Sequence, residues 1–350
     1  MLERSSPAQW ISHCRAFAAC TWLICFGCAG GEPGALPGAA AAHVEAARAV
    51  AYAPGHDFTW IFDRLCAEPS PPESDPVAAP EADENSTERG IPPRSAWYQK
   101  PAQIFDNLYY VGSNLQSMWA VSTSEGIILH DTAFDYMVDA EIIDGLRALG
   151  LDAADIRYVI VAHAHGDHYL GAKQLQDRYG ARIIMSDADW EVMEEDSNPA
   201  QLKPRKDMVA TDGMELTLGE TTLRLYLTPG HTPGTISTLI PVRDGNDEHL
   251  AAVWGGNGFG TRHFADPLEA YRAYSASANR FTDIVAETGV DVVLSSHTNH
   301  DKTLNKLNAL RFRNSGDPHP FVDREAVLRH LTLVGECADA QVSWAMSSTR

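Results

Sequence analysis

Val161-Ala-His163-Ala-His165-Gly-Asp167-His168 places three histidines and an aspartate within six positions, directly after the apolar, β-branched run Ile156 to Val161. An extended chain sends alternate side chains to the same side, so His163 and His165 point one way and both imidazoles can reach one ion. Gly166 lets the chain turn. Asp167 and His168 then stand where a helix over Tyr169 to Tyr179 would begin, with Leu170, Leu175 and Tyr179 on one face, and their side chains can reach a second ion. A strand ending this way is an incomplete metal site; the alternative is four polar residues on a solvated loop.

Two other strand ends supply what is missing. Thr221 to Leu227 runs into Pro229-Gly230-His231-Thr232-Pro233-Gly234, and the run from Val290 to Leu294 ends in Ser295-Ser296-His297. Either histidine alone reads as an ordinary loop residue, since His readily makes structural hydrogen bonds. Together with the first cluster they complete two ligand sets.

In these three motifs, HAHGDH at His163 to His168, GHTPG at Gly230 to Gly234 and the strand-end Ser296-His297, the chain resembles the metallo-β-lactamase superfamily, from about Gln103 to about Leu310. It is most similar to the β-lactamase subclass that binds one zinc by three histidines and the other by Asp-His-His. The resemblance implies an αβ/βα sandwich, two sheets flanked by helices, with two Zn2+ ions per chain. The first would be held by His163, His165 and His231 and the second by Asp167, His168 and His297. It further implies a zinc-bound hydroxide, oriented by Asp167, that attacks the carbonyl of a small-molecule cyclic amide such as a β-lactam. The same machinery could serve another ester, a lactone or a thioester, or the chain could bind metal without catalysis. The loops Ser113 to Met118 and Trp190 to Lys206 would face the substrate.

One departure matters. Glyoxalase II-type enzymes and lactonases of the superfamily carry a metal-bridging Asp after the strand that follows GHTPG. Here the strand Leu250 to Trp254 is followed by Gly255-Gly256-Asn257-Gly258-Phe259-Gly260, so Gly256 or Asn257 stands in its place. The Asn257 amide could donate to a developing oxyanion, or the residue could be a left-handed Asn in a glycine-rich turn. Upstream, Gly126 to Thr132 resembles the family's second strand, whose terminal Asp supports the metal loop. Asp131 is that candidate, or else it caps a helix over Tyr136 to Leu149. His130 and His300 read as structural.

Residues 1–30 read as an export signal: Arg4 and Arg15 precede an uncharged, mostly apolar run from Ala16 to Gly30. That run is short for a bilayer span, which needs about 20 apolar residues, and it predicts a periplasmic or secreted protein. Cys28, preceded by Gly27, offers a poor lipidation motif and the only route by which a membrane would be a partner. Four of six cysteines lie in this segment, leaving Cys66 and Cys337 as a disulfide or as two buried thiols. Residues 31–95 form an extension, helical over Ala39 to Ala53 and His56 to Cys66, then proline-rich and acidic from Glu68 to Arg94. Asn85-Ser86-Thr87 matches a glycosylation sequon by chance. Residues 96–350 make the catalytic domain, with strands at Ile104 to Val111 and Trp119 to Thr123 and a long helix over Pro267 to Glu287. The formal charge is −20, and because residues 1–28 hold Arg4 and Arg15 against Glu3, the remainder carries −21. This charge argues against nucleic acid as a substrate, since binding it depends on neutralising phosphates with Lys and Arg.

Overall fold

In the computed structural model, which describes residues 38–67 and 90–348, the cluster of His163 to His168 leaves the carboxyl end of a central strand. The expected signal segment with Cys28, most of the acidic linker, and the Asn85 sequon lie outside the described residues. Seven strands form the first sheet in the order β1 to β7: Ala102–Phe105, Leu108–Tyr110, Trp119–Thr123, Gly126–His130, Ile156–Ile160, Arg182–Ser186 and Met208–Ala210. Five form the second, in the order β12-β11-β10-β9-β8, where β8 is Met214–Leu218, β9 Thr221–Leu227, β10 Ile236–Asp244, β11 Asp247–Trp254 and β12 Val292–Ser295. The α-helices are α1 Gly38–Ala51, α2 Thr59–Leu65, α3 Asp144–Ala148, α4 Gly166–Tyr169, α5 Ala172–Tyr179, α6 Asp187–Glu195, α7 Pro267–Thr288, α8 Thr303–Leu310 and α9 Arg324–Ser348.

Alternation along the strands builds the layers. In β11, Ala251 and Val253 face the first sheet while Ala252 and Trp254 face α7 and α9. In β12, Val292 and Leu294 point inward and Val293 outward. On the other sheet, Ile128 and Ile160 meet the second sheet, and Ile127, Leu129, Val159 and Val161 meet α3, α5 and α6. Three apolar layers therefore separate helices, sheet, sheet and helices, which is the expected αβ/βα sandwich. Truncating a fully buried side chain such as Leu129 to Ala would cost about 2–5 kcal/mol. Strands β4 to β7 are mutually parallel, as are β11 and β12, so the carboxyl ends of β5 and β12 can open onto one edge.

Three expected elements come out differently. Ile104 to Val111 is not one strand but a hairpin, β1 and β2, turning at Asp106-Asn107. The helix expected over Tyr136 to Leu149 is a 3-10 turn (Asp135–Met137), then a π-helix (Val138–Ile143), then the short α3. The helix expected over Tyr169 to Tyr179 breaks into α4 and α5. The Gly171 N–H bonds Ala133 O, and the His168 carbonyl accepts from both the Thr132 N–H and its hydroxyl, so the backbone that would continue the helix is engaged by the loop after β4. That loop comes so close that a Cβ on Gly171 would lie 2.6 Å from Thr132 O.

Helices α1 and α2 pack on α9, and Cys66 is bonded to Cys337 (S–S 2.06 Å), so of the two readings of these cysteines the disulfide is the one formed. No described helix is long and apolar enough to cross a membrane.

Candidate metal centre

Two groups of three ligand atoms form at the sheet edge, His163 with His165 and His231, and Asp167 with His168 and His297. Their orientation follows from what each ring does on its far side. His163 Nδ1 donates to Gly255 O (2.8 Å) and His231 Nδ1 to Gly258 O (2.8 Å), which assigns the proton to Nδ1 and leaves both Nε2 atoms bare. His165 uses the opposite nitrogen: its Nε2 donates to His263 Nε2 (2.9 Å), an atom that also accepts from Arg262 Nε (3.1 Å), so Nδ1 is bare. These unprotonated nitrogens meet at 3.1 Å, His231 Nε2 facing both His163 Nε2 and His165 Nδ1. Lone pairs aimed at one another repel unless a cation sits between them. A tetrahedral ion with about 2.0–2.1 Å bonds to nitrogen has ligand-to-ligand edges of about 3.3–3.4 Å, so the donor set fits zinc.

The second group obeys the same logic. His168 Nδ1 donates to Asp131 Oδ2 (2.9 Å), freeing Nε2, which lies 3.2 Å from His297 Nε2. Asp167 Oδ2 is 3.6 Å from His168 Nε2 and 3.5 Å from His297 Nε2. Asp131 also accepts from Ala162 N (2.7 Å), so one buried carboxylate ties the β5 exit to a ligand ring. Of its two expected roles, supporting the metal loop is the one it plays. The N-cap of the 3-10 turn that begins the Tyr136 segment is Phe134, not Asp131.

Burial sets the protonation states. It holds His163 and His165 well below the usual histidine range, His231 near 3 and His297 near 4, with smaller effects on His297 that include the charge of Arg64 on α2. For Asp167, burial opposes ionisation, but the rings of His168 and His297 hold its pKa low. Burial likewise opposes charge on His168, and the carboxylates of Asp167 and Asp131 raise it nonetheless. The other four rings, kept neutral, and the ionised Asp167 are in the forms that bind metal, whereas metal binding at His168 would release its proton.

A family model described as the metallo-beta-lactamase superfamily matches residues 112–244, which carry five of these six ligand residues. Over that stretch the chain matches the metallo-beta-lactamase superfamily. A subclass B3 metallo-beta-lactamase of Bradyrhizobium japonicum matches 72% of this chain and 97% of its own at 27% identity, with a TM-score of 0.59. The native metallo-beta-lactamase of Legionella gormanii matches 67% and 91% at 25% identity, with a TM-score of 0.58. Among curated sequences, a hydroxyacylglutathione hydrolase of Acidiphilium cryptum is 30% identical over 114 residues, 33% of this chain and 43% of that protein. A probable metallo-hydrolase of Bacillus subtilis is 28% identical over 34% of this chain and 53% of its own length, so the chain spans about half of the curated relatives it matches.

In this metallo-beta-lactamase-fold chain the glycine loop after β11, where the sequence lacks the expected bridging Asp, packs against His231. A Cβ on Gly256 would lie 2.6 Å from His231 Cβ, and one on Gly260 would lie 1.6 Å from His231 O, so the glycine loop is pressed onto the ligand it positions. Asn257 is buried, and its Oδ1 accepts from Ser295 Oγ (3.1 Å), which in turn accepts from His297 N (3.2 Å). Its Nδ2 has no partner among the described residues. The turn reading needs correction: Asn257 is not left-handed, and Gly258 takes the positive φ of 118° instead.

His130 is buried with its Nε2 3.3 Å from Thr238 Oγ1, and His300 packs edge-on to Trp60; neither joins the ligand groups. Of the expected substrate-facing loops, the first pairs Gln116 with His297, and the second begins as helix α6 before Asn198 approaches Gly166. Sequence reasoning missed two residues. Buried Asp189 accepts from Ala164 N (2.9 Å), Thr232 Oγ1 (2.6 Å) and Gly234 N (2.7 Å), joining the His163–His165 loop to the His231 loop. His263 receives His165. Neither stands in a motif; the Ser186 cap ahead of Asp189 signals only a helix start.

Proposed function

We propose that the chain is a dinuclear zinc hydrolase that opens a cyclic amide of the β-lactam class. The observation that supports this most is the pair of converging ligand groups, with glycines and Asn257 rather than an Asp in the loop after β11. His163, His165 and His231 would hold the first ion and Asp167, His168 and His297 the second. A zinc pair bound there would supply a water activated near neutral pH and a Lewis acid for the carbonyl. Asp167 would orient the attacking water, while Gly255 O, Gly258 O, His263 and Asp131 fix the ligand rings so that little rearrangement accompanies reaction. Asn257 would donate its free Nδ2 hydrogens to the developing oxyanion, its amide oriented by Ser295. The charged, then apolar amino-terminal run and the Cys66–Cys337 disulfide support export to the periplasm or beyond.

A second reading, hydrolysis of a thioester, is favoured by the sequence similarity to hydroxyacylglutathione hydrolases and opposed by the missing bridging Asp. Metal analysis of the purified chain, combined with a hydrolysis panel of β-lactams, lactones and thioesters, separates the two. We expect two zinc ions and β-lactam turnover that chelation abolishes. Preferential thioester turnover would transfer the assignment to the second reading, and zero turnover on the whole panel with both ions bound would end the hydrolase reading.

A further inference from the structure

His297 differs from the other five ligand residues in how it is held. His163 to His168 leave β5 with Asp131 and Asp189 beneath them, and His231 is gripped by the glycine loop. His297 sits on the loop between β12 and α8. One flank of this loop is secured by the domain itself: Ser117 N bonds Ser296 O, Thr298 N bonds Leu115 O, and Thr298 Oγ1 bonds Asn114 O. The other flank, residues 299–302, meets the amino-terminal helices. Trp60 of α2 packs edge-on to buried His300 with ring centroids 4.9 Å apart, and Lys302, left-handed at φ 60°, reaches Asp57 Oδ2 at 3.2 Å.

Helix α2 cannot hold that position alone. It has seven residues, far below the length at which an isolated helix persists, and the Asp57 bond to Thr59 N (3.2 Å) secures only its first turn. Its place is set by tethers to α9. Ile61, Phe62 and Leu65 are buried in the cluster that contains Val327, Leu331, Val334 and Ala338. Gln341 Nε2 donates to Leu65 O (3.1 Å) and Ala67 O (3.2 Å), and Cys66 is bonded to Cys337 immediately after the helix. His56 Nε2 contacts Asp323 Oδ2 (2.7 Å) just before α9. An exposed pair such as Lys302–Asp57 contributes little by itself. The covalent link is the one of these tethers that reduction removes.

We propose that α2 is the positioning element for the His297 loop, and that the Cys66–Cys337 disulfide makes the second metal group, but not the first, depend on oxidation. The inference rests on Asp167, His168 and His297 being ligands. Reduction by a dithiol takes up two electrons and two protons: the S–S bond breaks, two thiols form, and the dithiol closes to its own disulfide. The chain would thereby complete its second group only after reaching an oxidising compartment.

The test compares the full chain oxidised and reduced, with thiol release confirmed by mass, alongside oxidised Trp60→Ala. Hydrogen exchange is measured first on metal-free protein. Both perturbations should speed exchange of residues 297–303 at least tenfold while 163–168 stays unchanged. Zinc titration should then show the second ion bound at least tenfold more weakly and the first unaltered. If either perturbation leaves 297–303 unchanged, or if both segments loosen equally, the disulfide is a general stabiliser and the proposal falls. If the oxidised chain takes no second ion, the ligand reading fails, whereas the metal-free exchange comparison still decides whether α2 positions the loop.

Discussion

Replacing Asp131 by Asn tests whether a carboxylate that touches no metal controls the second group. The residue is buried with φ at 63°, a conformation Asn tolerates as well as Asp, so the substitution changes charge and bonding with little backbone strain. Asp131 accepts two hydrogen bonds, from Ala162 N at 2.7 Å and His168 Nδ1 at 2.9 Å. An amide has one oxygen, so it can keep one of these donors and must present its NH2 to the other. Losing a charge-assisted hydrogen bond costs about 1.5–3 kcal/mol. The independent expectation for removing such a partner of a ligating His is a loss of roughly 10–100-fold in metal affinity, which is about 1.4–2.7 kcal/mol. The two estimates agree. Zinc titration against a competing chelator should therefore show the second ion weakened by roughly 10–100-fold. The first ion, whose ligands contact Gly255, Gly258 and His263, should hold its affinity. A second-ion affinity within about twofold of the parent would refute the argument, because the His168 ring would then be fixed without Asp131.

Exchanging His231 for Ala should empty the first group preferentially and Asp167 for Ala the second, read as metal content per chain; one ion in the parent chain under excess zinc would contradict two sites. Asn257→Ala should lower kcat on the best substrate by about 100-fold with zinc content unchanged, the scale of one lost oxyanion donor, and an unaltered kcat would leave Asn257 as a tether to Ser295. Glu141 lies buried in the π-helix 3.8 Å from Arg94, and burial raises its carboxyl to about 8 despite the nearby guanidinium. Because the folded-state pKa lies above the unfolded one, its protonated form adds stability at low pH that is lost as pH rises towards 8. Glu141→Gln should thus gain Tm relative to the parent between pH 5 and 9; parallel Tm profiles would show that Glu141 titrates in the fold as it does in the unfolded chain.

What the amino-acid sequence determined by itself is local or periodic. Alternating apolar residues in β11 and β12 dictate which faces are buried, and the i, i+2 histidines at the end of β5 must share a side, so the sheet faces and a metal cluster at that strand end are legible from spacing, whereas His231 joined the ligand set through the family resemblance. His297, the sixth, is recognisable because it too terminates a β-branched run. Other features arise only when segments distant in the chain meet. The helix breaks before α5 because Ala133 O takes the Gly171 N–H and Thr132 takes the His168 carbonyl, and Asp189 joins two ligand loops from a helix that carries no motif of its own. His263 matters because the His165 ring turns its Nε2 outward, and Gly256 because the His231 side chain occupies the space a carboxylate would need. Cys66 and Cys337, 271 residues apart, had two readings until α2 was laid against α9. Side-chain period and strand-end chemistry are properties of neighbouring residues, whereas hydrogen-bond partners and excluded volume belong to the packed chain, and only the tertiary structure could decide them.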